Sequence, residues 1–281
     1  MKVISYKSEL LEEVSILKKN QKVTGFVPTM GALHQGHISL IKCCNKECDY
    51  TIVSIFVNPT QFNDPNDYKK YPRILDTDLE LLKKVKVDIL FTPTLEEMYP
   101  EQDNRDFDLG ELDKVMEGAH RPGHFRGVCL IVSKLFEMVQ PTKAYFGEKD
   151  FQQVAVIKHL TRLMNYPVEI IPCPIIREND GLAMSSRNML LTKDHRQNAP
   201  LIAKTLFEAT EKSKTQSVQE TKDWVVRTIN DNPFLQVEYF EIVDETSLKA
   251  ISNWDNTSNK RGCIAVFAGN VRLIDNIRFN S

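Results

Sequence analysis

No window of the sequence approaches the roughly 20 consecutive apolar residues that a helix needs to cross a bilayer. A membrane-spanning segment is therefore not predicted. The first residues, MKVISYKSELLEEV, also contain no long apolar stretch of the kind found in secretory signal peptides. We expect a cytoplasmic protein without a membrane partner.

The sequence has almost no net charge: 36 lysines and arginines oppose 38 aspartates and glutamates, which gives -2 over 281 residues. No global field attracts nucleic acid, so a nucleic-acid partner is not predicted. The hydrophobic fraction of 42% and charged fraction of 26% are typical of a globular protein with a large core. This length suits one large or two modest domains.

Paired CxxC motifs are absent, although six cysteines are present and Cys43, Cys44 and Cys48 form a CCxxxC cluster. The cluster could bind zinc, but zinc sites usually combine two paired motifs. Its position on an amphipathic helix favours free, partly buried thiols. Disulfides are not expected in a reducing compartment.

Strand-type and helix-type patterns alternate along most of the chain. The run TIVSIFVN is typical of a strand buried on both faces of a parallel sheet, whereas residues 7–19 have helical spacing. Residues 1–176 are therefore predicted to form an α/β domain with a Rossmann-like, doubly wound parallel sheet. Residues 177–281 are predicted to form a smaller C-terminal α+β domain, which ends in antiparallel strands with a turn at Gly269 and Asn270.

The stretch PTMGALHQGH follows a predicted strand and leads into a predicted helix. There His34 and His37 could donate hydrogen bonds to a phosphate beside the free N–H groups of the helix N-terminus. Gly36 would let a nucleotide approach the backbone closely. Helix capping with packing, or zinc binding, are the alternatives. Zinc binding is weakened because no third ligand follows at a fixed spacing.

Four further motifs carry polar side chains, and each is weak by itself. In GEKDFQQ, Lys149 offers a charge for phosphate and Asp150 could cap a helix or contact ribose. MSSRN suits a mobile clamp over a triphosphate, although a surface turn explains it equally well. FVNPTQF places Asn58 and Gln61 beyond a strand, where they could bind a small polar substrate or form an Asx turn. In RPGHFRG, a structural or gating role is favoured over a catalytic one.

Taken together and in this order, PTMGALHQGH, FVNPTQF, YPR, RPGHF, FGEKDFQQ and GLAMSSRN resemble the pantoate–β-alanine ligase family. HxGH and MSSRN alone are similar to the HIGH and KMSKS signatures of class I aminoacyl-tRNA synthetases and related nucleotidyltransferases. The resemblance implies ATP-dependent condensation of (R)-pantoate with β-alanine through pantoyl adenylate, giving pantothenate, AMP and diphosphate on the route to coenzyme A. It also implies Mg²⁺ with the ATP, a homodimer, and a C-terminal domain that closes as a lid.

The resemblance implies the following site residues. Those implied for ATP are Met30, Gly31, Ala32, Leu33, His34, Gln35, Gly36, His37, Gly147, Glu148, Lys149, Asp150, Ile176, Met184, Ser185, Ser186 and Arg187. Catalysis would fall to His37 as proton donor, with His34, Lys149, Ser185, Ser186 and Arg187 stabilising charge. Gln61 would bind pantoate near the β-alanine site, and Gln153 would bind pantoate.

The sequence departs from related patterns at two places. Ala183 precedes Met184, and Arg187 replaces the second lysine of the KMSKS signature, which argues against a tRNA synthetase. In LDTDLELL, Thr77 interrupts a pair of aspartates that holds metal in some relatives. No protein-ligated metal site is therefore predicted, and Mg²⁺ would be held by phosphates and water. Another nucleotidyltransferase and a non-catalytic nucleotide-binding module are the alternative functions.

Overall fold

In the computed structural model, which describes residues 1–279, the chain divides into two compact units. The first comprises residues 1–113, 121–148 and 153–174. The second comprises residues 114–120, 149–152 and the chain from residue 175 onward. Strands and helices are numbered in chain order through both units. The boundary at residue 176 and the lid role stay predictions.

The first unit contains a six-stranded parallel sheet in the order β1-β4-β3-β2-β5-β6. Its strands are Lys2–Ile4 (β1), Thr24–Thr29 (β2), Tyr50–Ile55 (β3), Ile89–Phe91 (β4), Lys143–Gly147 (β5) and Glu169–Cys173 (β6). The Rossmann-like parallel sheet is thus confirmed. Strand β1 was not predicted, because three residues with a single buried side chain show no period.

Helices connect these strands. They are Lys7–Lys19 (α1), Gln35–Glu47 (α2), Pro65–Lys70 (α3), Leu75–Leu82 (α4), Leu95–Met98 (α5), His124–Val139 (α7) and Phe151–Leu163 (α8). The segment NPTQFNDPNDYKKYP contains α3 and a 3-10 turn over Pro59–Gln61, which the sequence pattern did not predict. These pieces are too short for a helical period, and they depend on side-chain caps from Asn58 and Asp64.

Helix α7 is the most deeply buried helix of the first unit. Its side chains Phe125, Leu135 and Phe136 join the main apolar core together with Phe26 of β2. Burying one such side chain stabilises the fold by about 1.5–3 kcal/mol. The continuous apolar run VCLIVSKLFEMV therefore reflects a helix that is covered on most sides.

Strand β2 lies between β3 and β5, so the order of connection reverses beside it. In parallel sheets of this kind, ligands bind beyond the carboxyl ends of the strands at such a reversal. Thr29 at the end of β2 pairs with Ile55 at the end of β3. The segments that follow β2, β3 and β5 therefore start from one edge of the sheet.

The second unit combines helices with a three-stranded antiparallel sheet in the order β7-β8-β9. Its elements are Met116–His120 (α6), Lys193–Asn198 (α9), Leu201–Lys212 (α10), Val218–Asn230 (α11), Leu235–Asp244 (β7), Lys260–Ala268 (β8) and Val271–Phe279 (β9). Gly269 and Asn270 join β8 to β9, as the turn chemistry predicted. Apolar side chains of α10 and α11 pack with those of the sheet in a separate core.

An ion-pair cluster explains why residues 114–120 belong to the second unit. The Arg272 guanidinium donates to both Glu117 carboxylate oxygens, at 2.8 and 2.7 Å, and to Glu238 at 2.6 Å. The Tyr239 hydroxyl donates to Glu117 at 2.8 Å. A buried carboxylate is stable only when it is paired and hydrogen-bonded. The cluster therefore anchors α6 to the sheet.

The six cysteines are free thiols; Cys43 is half-buried and the other five are buried. Burial raises the pKa of Cys44, Cys129 and Cys263 to about 12. Thiolate formation near neutral pH is therefore strongly disfavoured. Within residues 1–279, no group of three His, Cys, Asp or Glu side chains is placed to hold a metal ion, and no helix is long and apolar enough to span a membrane.

Asp103 is the centre of a charge cluster in the first unit. Its carboxylate accepts from Arg105 Nη2 at 3.0 Å and pairs with Lys134 Nζ at 2.8 Å. Arg105 also donates to Glu137 at 2.6 Å. The hydrogen bonds from Arg105 hold the pKa of Asp103 well below its ordinary value.

We predict that Asp103→Asn lowers the free energy of unfolding by about 1.5–3 kcal/mol at pH 7, since it removes charge-assisted hydrogen bonds. Because the folded-state pKa is depressed, this stabilisation is present above the unfolded-state pKa of about 3.9 and is lost as pH falls. The difference from the wild type should therefore shrink below about pH 4. Urea unfolding at pH 7 and pH 3 measures it.

The control is Asp106→Asn, because Asp106 is exposed and its contact with Arg126 is long, at 3.8 Å. An exposed pair of this kind contributes little, so unfolding should change by less than about 1 kcal/mol. A pH-independent effect of Asp103→Asn would show that its charge does not stabilise the fold.

Candidate active site

The segment after β2 is held by the buried carboxylate of Asp78. Its two oxygens accept from the backbone N–H of Ala32 at 2.9 Å and of Leu33 at 2.7 Å. Gly31 and Ala32 both have positive φ angles, 81° and 48°. A left-handed alanine is strained. These two hydrogen bonds, which the Asp78 carboxylate accepts, therefore stabilise a backbone path that the local sequence does not favour.

Burial raises the pKa of the Asp78 carboxyl, although the Ala32 and Leu33 N–H groups oppose this effect. The side chain is 1% exposed. Both of its oxygens are already used by the backbone, and Asp76 is exposed two residues earlier. This LDTD segment consequently does not present two open carboxylates to a metal ion.

The two histidines of HQGH cap helix α2. His34 is the N-cap residue, and its Nδ1 accepts from the N–H of Gly36 at 3.1 Å. The Nδ1 of His37 accepts from the N–H of His34 at 3.3 Å. A backbone N–H can only donate, so Nδ1 must be unprotonated in both rings. The hydrogen of each neutral imidazole is therefore on Nε2.

This geometry changes the interpretation of the helix N-terminus. The N–H groups of His34 and Gly36 are already satisfied by imidazole nitrogens, so they are not the free donors that the sequence suggested. The imidazole donors of this segment are instead the Nε2–H groups. The ring centroids are 4.1 Å apart.

The segment after β3 is organised by the buried amide of Asn58. Its Oδ1 accepts from the Tyr99 hydroxyl at 2.7 Å and from the N–H of Thr60 at 3.4 Å. Its Nδ2 donates to Gln61 Oε1 at 3.1 Å. Because Oε1 is occupied, Gln61 directs Nε2 to the Met30 sulfur, at 3.2 Å. Asn58 thus forms an Asx turn and also orients Gln61.

The RPGHFRG motif, which leads into the first turn of α7, also contacts the segment after β3. The Nδ1 of His124 donates to the Gln61 carbonyl oxygen at 2.8 Å, because a carbonyl can only accept. Arg121 Nη1 donates to Nε2 of His124 at 3.1 Å. A side chain at Gly127 would bring Cβ to 2.2 Å from the Thr60 carbonyl oxygen. Helix α7 can therefore approach the 3-10 turn only with glycine there.

In the second unit, the segment that carries MSSRN begins as a narrow hairpin. Ile176 and Met184 are brought together, since the N–H of Met184 donates to the Ile176 carbonyl at 3.0 Å. Arg177 and Ala183 form an antiparallel bridge. The turn between them contains Gly181 with φ of 92°.

The serines and arginine follow in a 3-10 turn over Ser186–Leu190. Ser185 is its N-cap, and its hydroxyl accepts from the N–H of Arg187 at 3.3 Å. Ser186 is buried and Arg187 is half-buried. The segment is therefore an ordered turn with internal capping.

The GEKD motif spans the end of β5 and a 3-10 turn over Glu148–Asp150. Lys149 is 18% exposed and its ammonium lies 3.9 Å from the Asp150 carboxylate. Gln152, next along α8, is buried, and it donates to the Val115 carbonyl and accepts from the Glu117 N–H, both at 2.9 Å. Of the two glutamines in FQQ, Gln152 is thus structural, and Gln153 is half-buried.

The predicted site residues are divided between the two units. The first unit holds Met30, Gly31, Ala32, Leu33, His34, Gln35, Gly36, His37, Gln61, Gly147, Glu148 and Gln153. The second unit holds Lys149, Asp150, Ile176, Met184, Ser185, Ser186 and Arg187. In the first unit, Met30 and Gln61 come from different strand ends and meet through their side chains.

Asp78 is the main residue that sequence analysis assigned incompletely. The acidic segment was considered only as a metal site and rejected as one, and the role of Asp78 in binding backbone N–H groups was not predicted. A signal was present in the sequence, because Asp78 and Leu82 are four residues apart on α4 and share its buried face. A carboxylate on an apolar helix face needs a hydrogen-bonding partner in the core.

Comparisons with known proteins are consistent along the whole chain. The family model for pantoate–β-alanine ligase matches residues 2–278. A pantothenate synthetase of Bacteroides fragilis is 55% identical over 279 residues, which is 99% of both chains. One from Porphyromonas gingivalis is 51% identical over 279 residues, again 99% of both chains.

Two solved structures are similar over nearly the full length. The crystal structure of pantothenate synthetase from Thermus thermophilus has a TM-score of 0.94 at 40% identity and 100% coverage of both chains. A pantoate–β-alanine ligase from Francisella tularensis, complexed with β,γ-ATP and β-alanine, has a TM-score of 0.82 at 37% identity, covering 99% of this chain and 97% of that one. The chain described here belongs to the pantoate–β-alanine ligase family.

Proposed function

We propose that this chain condenses (R)-pantoate with β-alanine, using ATP and forming pantothenate, AMP and diphosphate. The full-length match to the ligase family supports this function. The single structural observation that carries it is the pair of Nδ1-capped imidazoles after β2, which keeps the hydrogen of both rings on Nε2. Neutral N–H donors of this kind can stabilise charge as it develops on phosphate oxygens.

In the first step, a carboxylate oxygen of pantoate attacks the α-phosphorus of ATP, and the bond from that phosphorus to diphosphate breaks. Negative charge increases on the nonbridging oxygens and on the departing diphosphate. We assign its stabilisation to the Nε2–H groups of His34 and His37, the Lys149 ammonium, and a polar turn. That turn contains Ser185, Ser186 and Arg187. No side chain acts as a nucleophile, so positioning and charge stabilisation account for the rate.

In the second step, the neutral amine of β-alanine attacks the acyl carbon of pantoyl adenylate. The bond between that carbon and the AMP oxygen breaks, and the proton that the amine loses as the amide forms passes to the phosphate of the departing AMP. His37, which the resemblance implies as proton donor, is proposed to donate a hydrogen bond from its Nε2–H to the AMP oxygen as that oxygen departs. Gln61 and Gln153 are proposed to bind pantoate, and Gln61 to lie near β-alanine.

The remaining residues proposed for ATP are supported by the resemblance. They are Met30, Gly31, Ala32, Leu33, Gln35, Gly36, Gly147, Glu148, Asp150, Ile176 and Met184. We assign Mg²⁺ to the phosphates of ATP and to water, because both Asp78 oxygens accept backbone N–H groups. When bound there, the ion would neutralise phosphate charge. The homodimer and the cytoplasmic location stay predictions.

The reaction is tested by its products. We expect AMP and diphosphate in equal amounts, only when ATP, pantoate and β-alanine are all present. Without β-alanine, pantoate should still support exchange of labelled diphosphate into ATP, because the adenylate forms first. Formation of ADP, or AMP release that does not depend on the amine, would rule out the proposed reaction.

For His37, we predict that His37→Ala slows pantoate-dependent exchange by about 10²–10³, the usual loss for one charge-stabilising donor. His37→Asn separates the two ring nitrogens, since its amide can replace the Nδ1 cap but cannot reach the Nε2 position. Both variants should therefore lose exchange to a similar extent, and His159→Ala on α8 serves as the control. If His37→Asn kept full activity, only the cap would matter.

For Gln61, we predict that Gln61→Ala raises the KM for pantoate by about 10–100-fold, the equivalent of one hydrogen bond to a charged group. The KM for ATP should change by less than about twofold, since a hydrogen bond to pantoate is not shared with the nucleotide. Steady-state kinetics with each substrate varied in turn measure both. Gln219→Ala, at an exposed position of α11, is the control, and a defect confined to ATP would contradict this assignment.

A further inference from the structure

The last strand of the second unit carries two adjacent buried polar residues. Asp275 is 4% exposed and Asn276 is 2% exposed, in the middle of β9. Burying an amide and a carboxyl in an apolar sheet is costly unless both are hydrogen-bonded. Their hydrogen-bond partners show what the two residues hold in place.

Asn276 holds the backbone of Lys149. Its Nδ2 donates to the Lys149 carbonyl oxygen at 3.1 Å. Its Oδ1 accepts from Arg261 Nη1 at 2.7 Å, and because a guanidinium can only donate, this contact fixes which way the amide points. Arg261 is itself held by Glu245 at 2.9 Å and by the ring of Phe151, whose centroid is 4.3 Å from its guanidinium carbon.

Asp275 holds the hairpin that precedes MSSRN. Its two oxygens accept from Arg177, Oδ2 at 2.6 Å and Oδ1 at 2.9 Å. Arg177 Nη1 also donates to the Gly181 carbonyl oxygen at 3.1 Å, in the turn of the hairpin. A bidentate pair of this kind fixes orientation as well as distance. The carboxylate therefore anchors the base and the turn of the hairpin together.

We propose that Asp275 and Asn276 are positioning residues for adenylate formation: Asn276 sets the Lys149 backbone, and Asp275, through Arg177, sets the segment that leads to Met184 and Arg187. This inference rests on the proposed function, in which Lys149 and the MSSRN turn contact ATP. Neither Asp275 nor Asn276 is assigned a contact with substrate.

The physical reason is that neither polar segment lies within a long regular element. Lys149 is in a three-residue 3-10 turn, and Ser185 to Arg187 lie in another short turn. By contrast, β9 pairs with β8 along its whole length. Two consecutive residues of one paired strand therefore fix the positions of both turns relative to each other. A misplacement of about 1 Å in such a site can cost about 10²-fold in rate.

The proposal is tested by pantoate-dependent diphosphate exchange in the full-length protein. Asn276→Ala and Asp275→Asn should each lower kcat by about 10–100-fold. The KM for pantoate should stay within about twofold, because neither Asp275 nor Asn276 is assigned a contact with pantoate. Asn259→Ala, an exposed residue of the same unit, should leave the kinetics unchanged.

A double-mutant cycle separates positioning from general damage. If Asn276 acts through Lys149, then Asn276→Ala should cause little further loss in a Lys149→Ala background. Asp275→Asn acts mainly on the other segment through Arg177, so most of its loss should remain in the Lys149→Ala background, apart from the part that comes from the attraction between the Asp275 and Lys149 charges. Wild-type exchange, and its loss in Lys149→Ala, are measured first. A failure there removes the proposed function itself, whereas the cycle addresses only the anchor.

A second variant covers the case in which Asn276→Ala does not fold. Asn276→Asp keeps an acceptor for Arg261, removes the N–H that Lys149 accepts and places a carboxylate oxygen against the Lys149 carbonyl, so it should lower kcat in the same way. Thermal unfolding identifies the folded variants. Wild-type kinetics in a folded Asn276 variant, or full multiplication of its loss with that of Lys149→Ala, would overturn the proposal.

Discussion

The contact on which the first unit's site depends is the one between the Asp78 carboxylate and two backbone N–H groups. It stabilises a left-handed alanine, which places His34 at the start of α2. From there the imidazoles of His34 and His37 complete the helix N-terminus. A buried carboxylate on α4 thus determines where another helix, α2 with its two histidines, begins.

The fold was largely predictable because its strands and longer helices have clear periods. The run around Ile52 and Val53 indicated a strand covered on both faces, and both residues are fully buried. The misses were short pieces such as β1 and α3, which are stabilised by neighbours or by a cap rather than by their own pattern. The GN turn between β8 and β9 was readable because its turn chemistry is local.

The motifs were recognisable in the sequence, but their local chemistry was not. The sequence left two roles possible for Asn58, an Asx turn and substrate binding. The structure shows that its side-chain amide makes the turn and also orients Gln61. For His34 and His37, the sequence left open whether they cap the helix or donate hydrogen bonds to a phosphate. Capping by Nδ1 determines which nitrogen carries the hydrogen, so the two interpretations are compatible. Long-range contacts such as Asn276 with Lys149 leave no periodic signal, since 127 positions separate the two residues.

Because His34 caps α2 through its imidazole, few other side chains can replace it at this position. Serine or aspartate would cap the helix well, but each presents its acceptor on a short arm with nothing beyond it. Imidazole is the side chain that accepts from the backbone on one edge and donates from the opposite edge, about 2 Å further out, with both atoms in one rigid plane. Helix initiation and anion contact are thereby performed by the same ring. Replacing His34 by a stronger helix-capping residue would stabilise α2 but would remove the N–H donor that can contact an anion.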